Sequence, residues 1–211
     1  YLYQNNCNGD FTKITAMPGG IINEPFGGSA SYWIDYNNDG GLDLFVNATR
    51  RPGINNSLYK KEKEGGYTKV NNSITSFNSP HAIFADFNND GFLDVYTGDS
   101  SLYKGDGNGN FMPVSPSPLY FEKIYWARYT VGTWQDYDND GDMDLMIITD
   151  IRMETPPYNC NNLFIYKNDG YGNFTRDTLA PPIIEWSPTY GCAWGDYDND
   201  GNLDLWVNGN S

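Results

Sequence analysis

At 211 residues the chain is long enough for one domain with a sizeable core or for two small ones, and its 39% apolar residues recur too regularly for a disordered chain. Lys and Arg number 13 against 27 Asp and Glu, a formal charge of -14, which excludes the clustered basic surface that a nucleic-acid backbone or an anionic membrane requires. Apolar runs such as Leu145 to Ile148 fall far short of the ~20 residues of a spanning helix. The chain opens at Tyr1 rather than Met and is expected to be a processed or excised product.

Taken in chain order, the first element is a hairpin marked by Tyr3 and, eight residues later, Phe11 across a Gly/Asn-rich turn; the same pairing returns at Tyr59 and Tyr67, Tyr103 and Phe111, and Tyr166 and Phe174. A constant offset with turn residues between predicts a β-hairpin in each copy. Interleaved with these hairpins are four acidic segments: Trp33-Ile-Asp-Tyr-Asn-Asn-Asp-Gly-Gly-Leu-Asp-Leu-Phe-Val46, Phe84-Ala-Asp-Phe-Asn-Asn-Asp-Gly-Phe-Leu-Asp-Val-Tyr-Thr97, Trp134-Gln-Asp-Tyr-Asp-Asn-Asp-Gly-Asp-Met-Asp-Leu-Met-Ile147 and Trp194-Gly-Asp-Tyr-Asp-Asn-Asp-Gly-Asn-Leu-Asp-Leu-Trp-Val207. Their first aspartates lie 51, 50 and 60 residues apart. Each repeat therefore holds four strands: A ends at the acidic loop, B leaves it, and C and D form the hairpin. Four strands in ~50 residues is the size of one propeller blade. The expected fold is all-β, a β-propeller of four-stranded antiparallel blades in a single domain over residues 1–211. Three blades fall at 30–71, 81–114 and 130–176, and a fourth is shared between residues 1–16 and 188–211. Membership of a larger ring, or completion of one ring by two chains, are the alternatives.

The acidic loops follow the pattern Asp-x-Asp/Asn-x-Asp-Gly-x-x-Asp. Calcium takes 6–8 hard oxygen ligands, and alternate side chains at loop positions 1, 3 and 5 converge on one point. Gly at position 6 allows the turn, position 7 offers a carbonyl, and the Asp at position 9 closes the site from strand B. The predicted ligands are Asp35, Asn37, Asp39, Gly41 and Asp43 in the first loop, and Asp86, Asn88, Asp90, Phe92 and Asp94 in the second. They are Asp136, Asp138, Asp140, Asp142 and Asp144 in the third, and Asp196, Asp198, Asp200, Asn202 and Asp204 in the fourth. An EF-hand would need Glu at position 12 between helices; that position holds Val46, Thr97, Ile147 and Val207. Three or four carboxylates in nine residues repel one another without a cation. Fourteen of the 27 acids would supply ligand carboxylates, and four bound Ca²⁺, at two charges each, would take the formal charge from -14 to -6. The first two loops carry Asn at position 3 and are expected to bind more weakly.

These motifs, together with the Leu-Tyr-x-Asn-x-Gly-x-Gly-x-Phe pattern of the hairpins, resemble the FG-GAP/VCBS repeat family, most of all the bacterial VCBS repeat proteins and the cartilage acidic protein group. The integrin α-subunit propeller is a more distant likeness. The resemblance implies a propeller with Ca²⁺ in its A–B loops, in secreted or cell-surface proteins of adhesion, recognition or scaffolding type, and rings of about seven or eight blades.

In a propeller the A–B loops line one face, so a protein or glycan partner is expected on the other, where the repeat breaks down. Trp126 and Trp186, each ten residues before a loop Asp, with Arg128 and Tyr190 nearby, are the candidate ligand-binding residues of a lectin; inter-blade packing is the competing reading. Trp33, Trp134, Trp194 and Trp206 sit at periodic positions and are expected in the core. Sequons at Asn47, Asn55, Asn71 and Asn173 are glycosylation sites only if the host has the machinery. Of the cysteines, Cys160 and Cys192 are a candidate disulfide, and Cys7 is free or bridges another chain. No nucleophile–base pair or zinc spacing is present, so the expectation is a non-enzymatic extracellular module of binding, adhesion or assembly. A lectin and a self-assembling filament or surface-layer subunit are the alternatives; neither nucleic acid nor membrane insertion is expected.

Overall fold

The computed structural model describes residues 2–16, 30–47, 55–76, 81–119, 127–152, 159–178 and 189–209. The regular elements among the described residues are all β-strands apart from one 3₁₀ turn, Ser73–Thr75. The strands are β1 (Leu2–Asn5), β2 (Phe11–Ile14), β3 (Ser31–Ile34), β4 (Asp43–Val46), β5 (Ser57–Lys61), β6 (Tyr67–Val70), β7 (Ala82–Ala85) and β8 (Asp94–Thr97). They continue as β9 (Ser101–Gly105), β10 (Phe111–Pro113), β11 (Ala127–Gln135), β12 (Asp144–Arg152), β13 (Asn159–Asn168), β14 (Phe174–Arg176), β15 (Thr189–Gly195) and β16 (Asp204–Gly209). Three four-stranded sheets run in plain sequence order, β3-β4-β5-β6, β7-β8-β9-β10 and β11-β12-β13-β14; β1-β2 and β15-β16 are two-stranded. Among the described residues every pairing is antiparallel and between neighbours in the chain, as in propeller blades.

The two sequence motifs account for this register. Each acidic loop fills the gap between an A and a B strand, and its ninth residue, Asp43, Asp94, Asp144 or Asp204, is the first residue of the B strand. Each hairpin aromatic opens its return strand opposite the residue two beyond the motif tyrosine: Phe11 faces Asn5, Tyr67 faces Lys61, Phe111 faces Gly105 and Phe174 faces Asn168.

The chain divides into two compact units, Tyr1–Pro80 with Gly107–Asn110, and His81–Asp106 with Phe111–Ser211. In the first, Phe45, Leu58, Tyr59 and Ile74 are buried. The 3₁₀ turn is capped by Asn72 and Thr75, and the Asn56 side chain donates to the Ile74 carbonyl at 3.2 Å. Gly109 lies so close to the Tyr36 ring that a Cβ there would sit 2.7 Å from it. In the second unit, Phe87, Tyr96, Leu102, Leu145, Ile147, Tyr166 and Phe174 form one buried cluster, with Trp134 stacked on Phe87 at 5.8 Å. Met146, Ile148 and Ile165 form another, with Trp194 and Cys192 packed on it. Burial of each large side chain in these clusters contributes ~1.5–3 kcal/mol. Gly172, six residues after its motif tyrosine as Gly109 is, packs on Phe87 with 3.0 Å for an added Cβ. In each unit a hairpin glycine thus covers the aromatic at loop position 2 of the preceding repeat.

Two tryptophans depart from expectation. Trp33 is 46% exposed and Trp206 is 74% exposed, whereas Trp134 and Trp194 are partly buried. Trp33 stands on an edge strand and leans on Tyr67 of its own sheet at 5.9 Å. Trp206 stands on β16, which pairs only with β15 among the described residues. The three central sheets span residues 31–70, 82–113 and 127–176, and the two terminal pairs are separate two-stranded sheets.

Candidate metal centre

All four acidic loops fold the same way, and the Asp side chains do the folding. The position 1 carboxylate takes the amide of position 5 on one oxygen: Asp39 to Asp35 at 3.0 Å, Asp90 to Asp86 at 3.1 Å, Asp140 to Asp136 and Asp200 to Asp196 at 3.0 Å. Its other oxygen takes the amide of the position 6 glycine, at 2.9, 2.7, 3.0 and 2.9 Å in chain order. The position 5 carboxylate in turn accepts the amide of position 7 at 2.8–3.0 Å. Asn at position 4 and Gly at position 6 carry the positive φ that closes so tight a loop, for example +56° at Asn89 and +86° at Gly91. The backbone donors spent on one edge of each carboxylate leave its remaining lone pairs to converge.

They do converge in the two loops that have Asp at position 3. Asp136, Asp138 and Asp144 each offer an oxygen within 4.8 Å of the others, and so do Asp196, Asp198 and Asp204. Each carboxylate of such a trio is within reach of one ion with Ca–O distances of 2.3–2.6 Å. In the first two loops position 3 is Asn, and its carbonyl oxygen accepts the amide of position 5 at 3.3 Å from Asn37 and 3.0 Å from Asn88. Asp140 and Asp200, placed as ligands by spacing, lie outside the two trios. Their position 5 side chains are turned toward the amide of position 7.

The ninth position does more than spacing revealed. Asp43, Asp94 and Asp144 are buried, at 0%, 0% and 2% exposure. Each reaches across to the C strand of its own sheet, accepting the amides of Lys61 at 2.7 Å, Gly105 at 2.9 Å and Asn168 at 2.8 Å. Each also faces the amide of loop position 2: Phe87 donates to Asp94 at 3.2 Å and Tyr137 to Asp144 at 3.3 Å. In the first loop the Tyr36 amide lends charge stabilisation without meeting hydrogen-bond geometry, so Oδ2 of Asp43 is buried with no hydrogen-bond partner. Burial pushes these carboxyls up, to about 6 for Asp43, about 7 for Asp94 and about 6 for Asp144, against the pull of the backbone amides. Neighbouring loop carboxylates push the same way.

An orphaned buried carboxylate oxygen, ionisation opposed by burial, and clustered hard oxygens are what a divalent cation relieves. The donor set fits Ca²⁺: all oxygen, with carboxylates and Asn, and no Cys or His. Two loops also carry a lysine. Lys60 lies 3.2 Å from Oδ2 of Asp39, a carboxyl held below its ordinary value by the Gly41 amide and, to a lesser degree, by that ammonium. Lys167 lies 3.1 Å from Oδ2 of Asp138 and 3.8 Å from Asp177. The Tyr137 hydroxyl donates to Asp177 at 2.6 Å and is pushed up to about 12, by burial and by that carboxylate.

Other candidate residues fare differently. Trp126 and Trp186 lie outside the described residues; Arg128 and Tyr190 fall on β11 and β15, with side chains outside what is described. The sequon at Asn47 is corrected: the residue is fully buried at the end of the first B strand, and a glycan needs an exposed side chain. Asn55, Asn71 and Asn173 are exposed. Cys7 and Cys192 are free thiols, so Cys192 is not in the disulfide considered for it. Among the described residues no helix is long and apolar enough to cross a membrane.

Tandem antiparallel four-stranded sheets, each with an acidic loop between its first two strands, define a repeat protein of the propeller-blade type. The FG-GAP-like repeat family model matches residues 86–147 and 136–207, and the chain belongs to that family. No curated protein and no solved structure matches it.

Proposed function

We propose that the chain is a non-enzymatic, calcium-stapled module that works outside the cell in binding, adhesion or assembly. The observation that carries the reading is the convergence of Asp136, Asp138 and Asp144, and of Asp196, Asp198 and Asp204, on loops that their own Asx bonds have already shaped. Bound Ca²⁺ would supply the positive charge that offsets carboxylate repulsion. Asp35, Asn37, Asp39, Asp43 and the Gly41 carbonyl would hold it in the first loop, and Asp86, Asn88, Asp90, Asp94 and the Phe92 carbonyl in the second. The third and fourth would use the trios with Asp140 and Asp200 and the carbonyls of Asp142 and Asn202. Asp43, Asp94 and Asp144 tie the first three loops to their C strands, so ordering one of those loops also stiffens its sheet. Extracellular modules bind calcium with Kd values of roughly 10⁻⁴–10⁻³ M, a range suited to sites kept filled outside the cell.

FG-GAP-like repeats suggest an adhesion or binding role, which favours a protein or glycan partner over a substrate. The sharing of one blade between residues 1–16 and 188–211 belongs to the same proposal. It is supported by strand count: the first piece supplies a hairpin pair and the last an A–B pair. Thermal melts in calcium and in EDTA test the reading. A large calcium-dependent rise in melting temperature is expected, and superimposable melts would overturn it.

A further inference from the structure

The fourth position of every acidic loop is asparagine, Asn38, Asn89, Asn139 and Asn199, although it is not a metal ligand in the reading above. Backbone conformation accounts for part of this. All four residues have φ between +54° and +60°, a region in which Asn is several-fold enriched. Two of the side chains do something more. Nδ2 of Asn89 donates to Oδ1 of Asp142 at 2.7 Å and to the Gly170 carbonyl at 3.4 Å. Nδ2 of Asn139 donates to the Gly201 carbonyl at 3.3 Å. The bonds to Asp142 and Gly201 run from the fourth position of one loop to the next loop along the chain, and end at its seventh and sixth positions, at or beside the residue whose carbonyl would face the cation.

Asp142 is held on several sides. The turn of its own sheet's hairpin lies against it, since a Cβ on Gly170 would be 2.5 Å from its Oδ1. Its amide donates to the ligand carboxylate of Asp140 at 2.9 Å. On the giving side, Asn89 sits between ligand positions Asn88 and Asp90, and the peptide that follows it is fixed by Asp86 at 3.1 Å and Asn88 at 3.0 Å. The aim of the Asn89 side chain therefore depends on how its own loop is ordered, and the placement of residue 142 depends on Asn89.

We infer that Asn89 and Asn139 couple successive calcium loops. A cation that orders the second loop aligns Asn89 and prepares the third, and Asn139 passes the same effect from the third loop to the fourth. This rests on the calcium reading proposed above. Coupling between binding sites is reciprocal, so the third loop assists the second equally. One net hydrogen bond at a partly exposed site, to a carboxylate from Asn89 and to a carbonyl from Asn139, sets the expected coupling at about three- to tenfold in affinity. Asn199 is the internal control: it has the same backbone, with φ of +60°, and makes no such bond to a further loop among the described residues.

The test is a calcium titration of the whole chain followed by NMR at the amides of Gly91, Gly141 and Gly201. Each donates to the first Asp of its own loop, so its amide follows the ordering of that loop. The variants are Asn89→Gly, Asn139→Gly and Asn199→Gly, because glycine keeps the positive φ and removes only the side chain. The expected result is a three- to tenfold rise in the Gly141 midpoint, with a shallower curve, in N89G. N139G should do the same to Gly201, and N199G should move neither. Unchanged midpoints in N89G and N139G, with all three glycines still responding to calcium, would overturn the coupling and leave the calcium sites standing. If no glycine responds to calcium in the unmutated chain, the calcium reading and the coupling fall together.

Discussion

Asp94→Asn separates the backbone brace seen at the ninth loop position from the calcium ligand proposed there. Asp94 is buried, its carboxyl is pushed up to about 7, and it accepts the amides of Gly105 and Phe87. Holding it ionised in the calcium-free protein at about pH 8 costs about 4 kcal/mol if nothing screens it, and about half that once partial solvent screening is allowed. The substitution removes this cost. It keeps one oxygen for the Gly105 amide but turns an NH₂ toward Phe87, stranding a buried donor at about 1–2 kcal/mol. The two effects nearly cancel, so in EDTA the variant should unfold within about 1 kcal/mol of the parent. In saturating calcium the cation offsets the ionisation cost in the parent, and the variant lacks a charged ligand. A ten- to hundredfold loss of affinity at that site lowers stability by about 1.4–2.7 kcal/mol. Urea unfolding in each condition measures both. An equal loss in EDTA and in calcium would make Asp94 a brace indifferent to the ion and refute the reasoning.

Four further outcomes follow from the same geometry. The raised carboxyls of Asp43, Asp94 and Asp144 contribute stability that is fully present below their unfolded value of 3.8 and lost as pH rises through about 6 to 7; melts in EDTA should therefore weaken across that window, and the gain on adding calcium should grow across it. Gly172→Ala, which drives a Cβ against Phe87 at 3.0 Å from a φ of +83°, should cost about 2–3 kcal/mol by urea unfolding, whereas Gly65→Ala, with open space around it, should cost only the ~1 kcal/mol of its backbone strain. Asn88→Asp, which gives the second loop a fourth acid, should tighten calcium binding there several-fold by calorimetry, in line with weaker sites in loops that have Asn at position 3. Lys167→Gln removes an ammonium 3.1 Å from Asp138 and should raise calcium affinity at the third loop a few-fold.

What could be read directly from the sequence was what repeats locally. Loop spacing, glycine placement and the tyrosine-to-aromatic offset are set within nine residues, and the A–B loops and hairpins appear where those motifs put them. The hidden part lies in contacts between elements. Asp43, Asp94 and Asp144 bind amides 18, 11 and 24 residues downstream, and connections of unequal length hide that constancy unless each C strand is first aligned on its tyrosine. Asn at position 4 reads as a turn residue in a single copy; its reach into the next loop shows only when two loops are adjacent in space. The burial of Asn47 and the exposure of Trp33 and Trp206 likewise depend on whether a strand is central or at an edge, which periodicity along one strand does not encode.

Counting calcium ions bound per chain by isothermal titration tests the central claim most directly. Four ions are expected, falling to three when Asp136→Asn and Asp138→Asn are combined in the third loop. Failure to bind calcium at millimolar concentration, or binding unchanged in that double variant, would contradict the account.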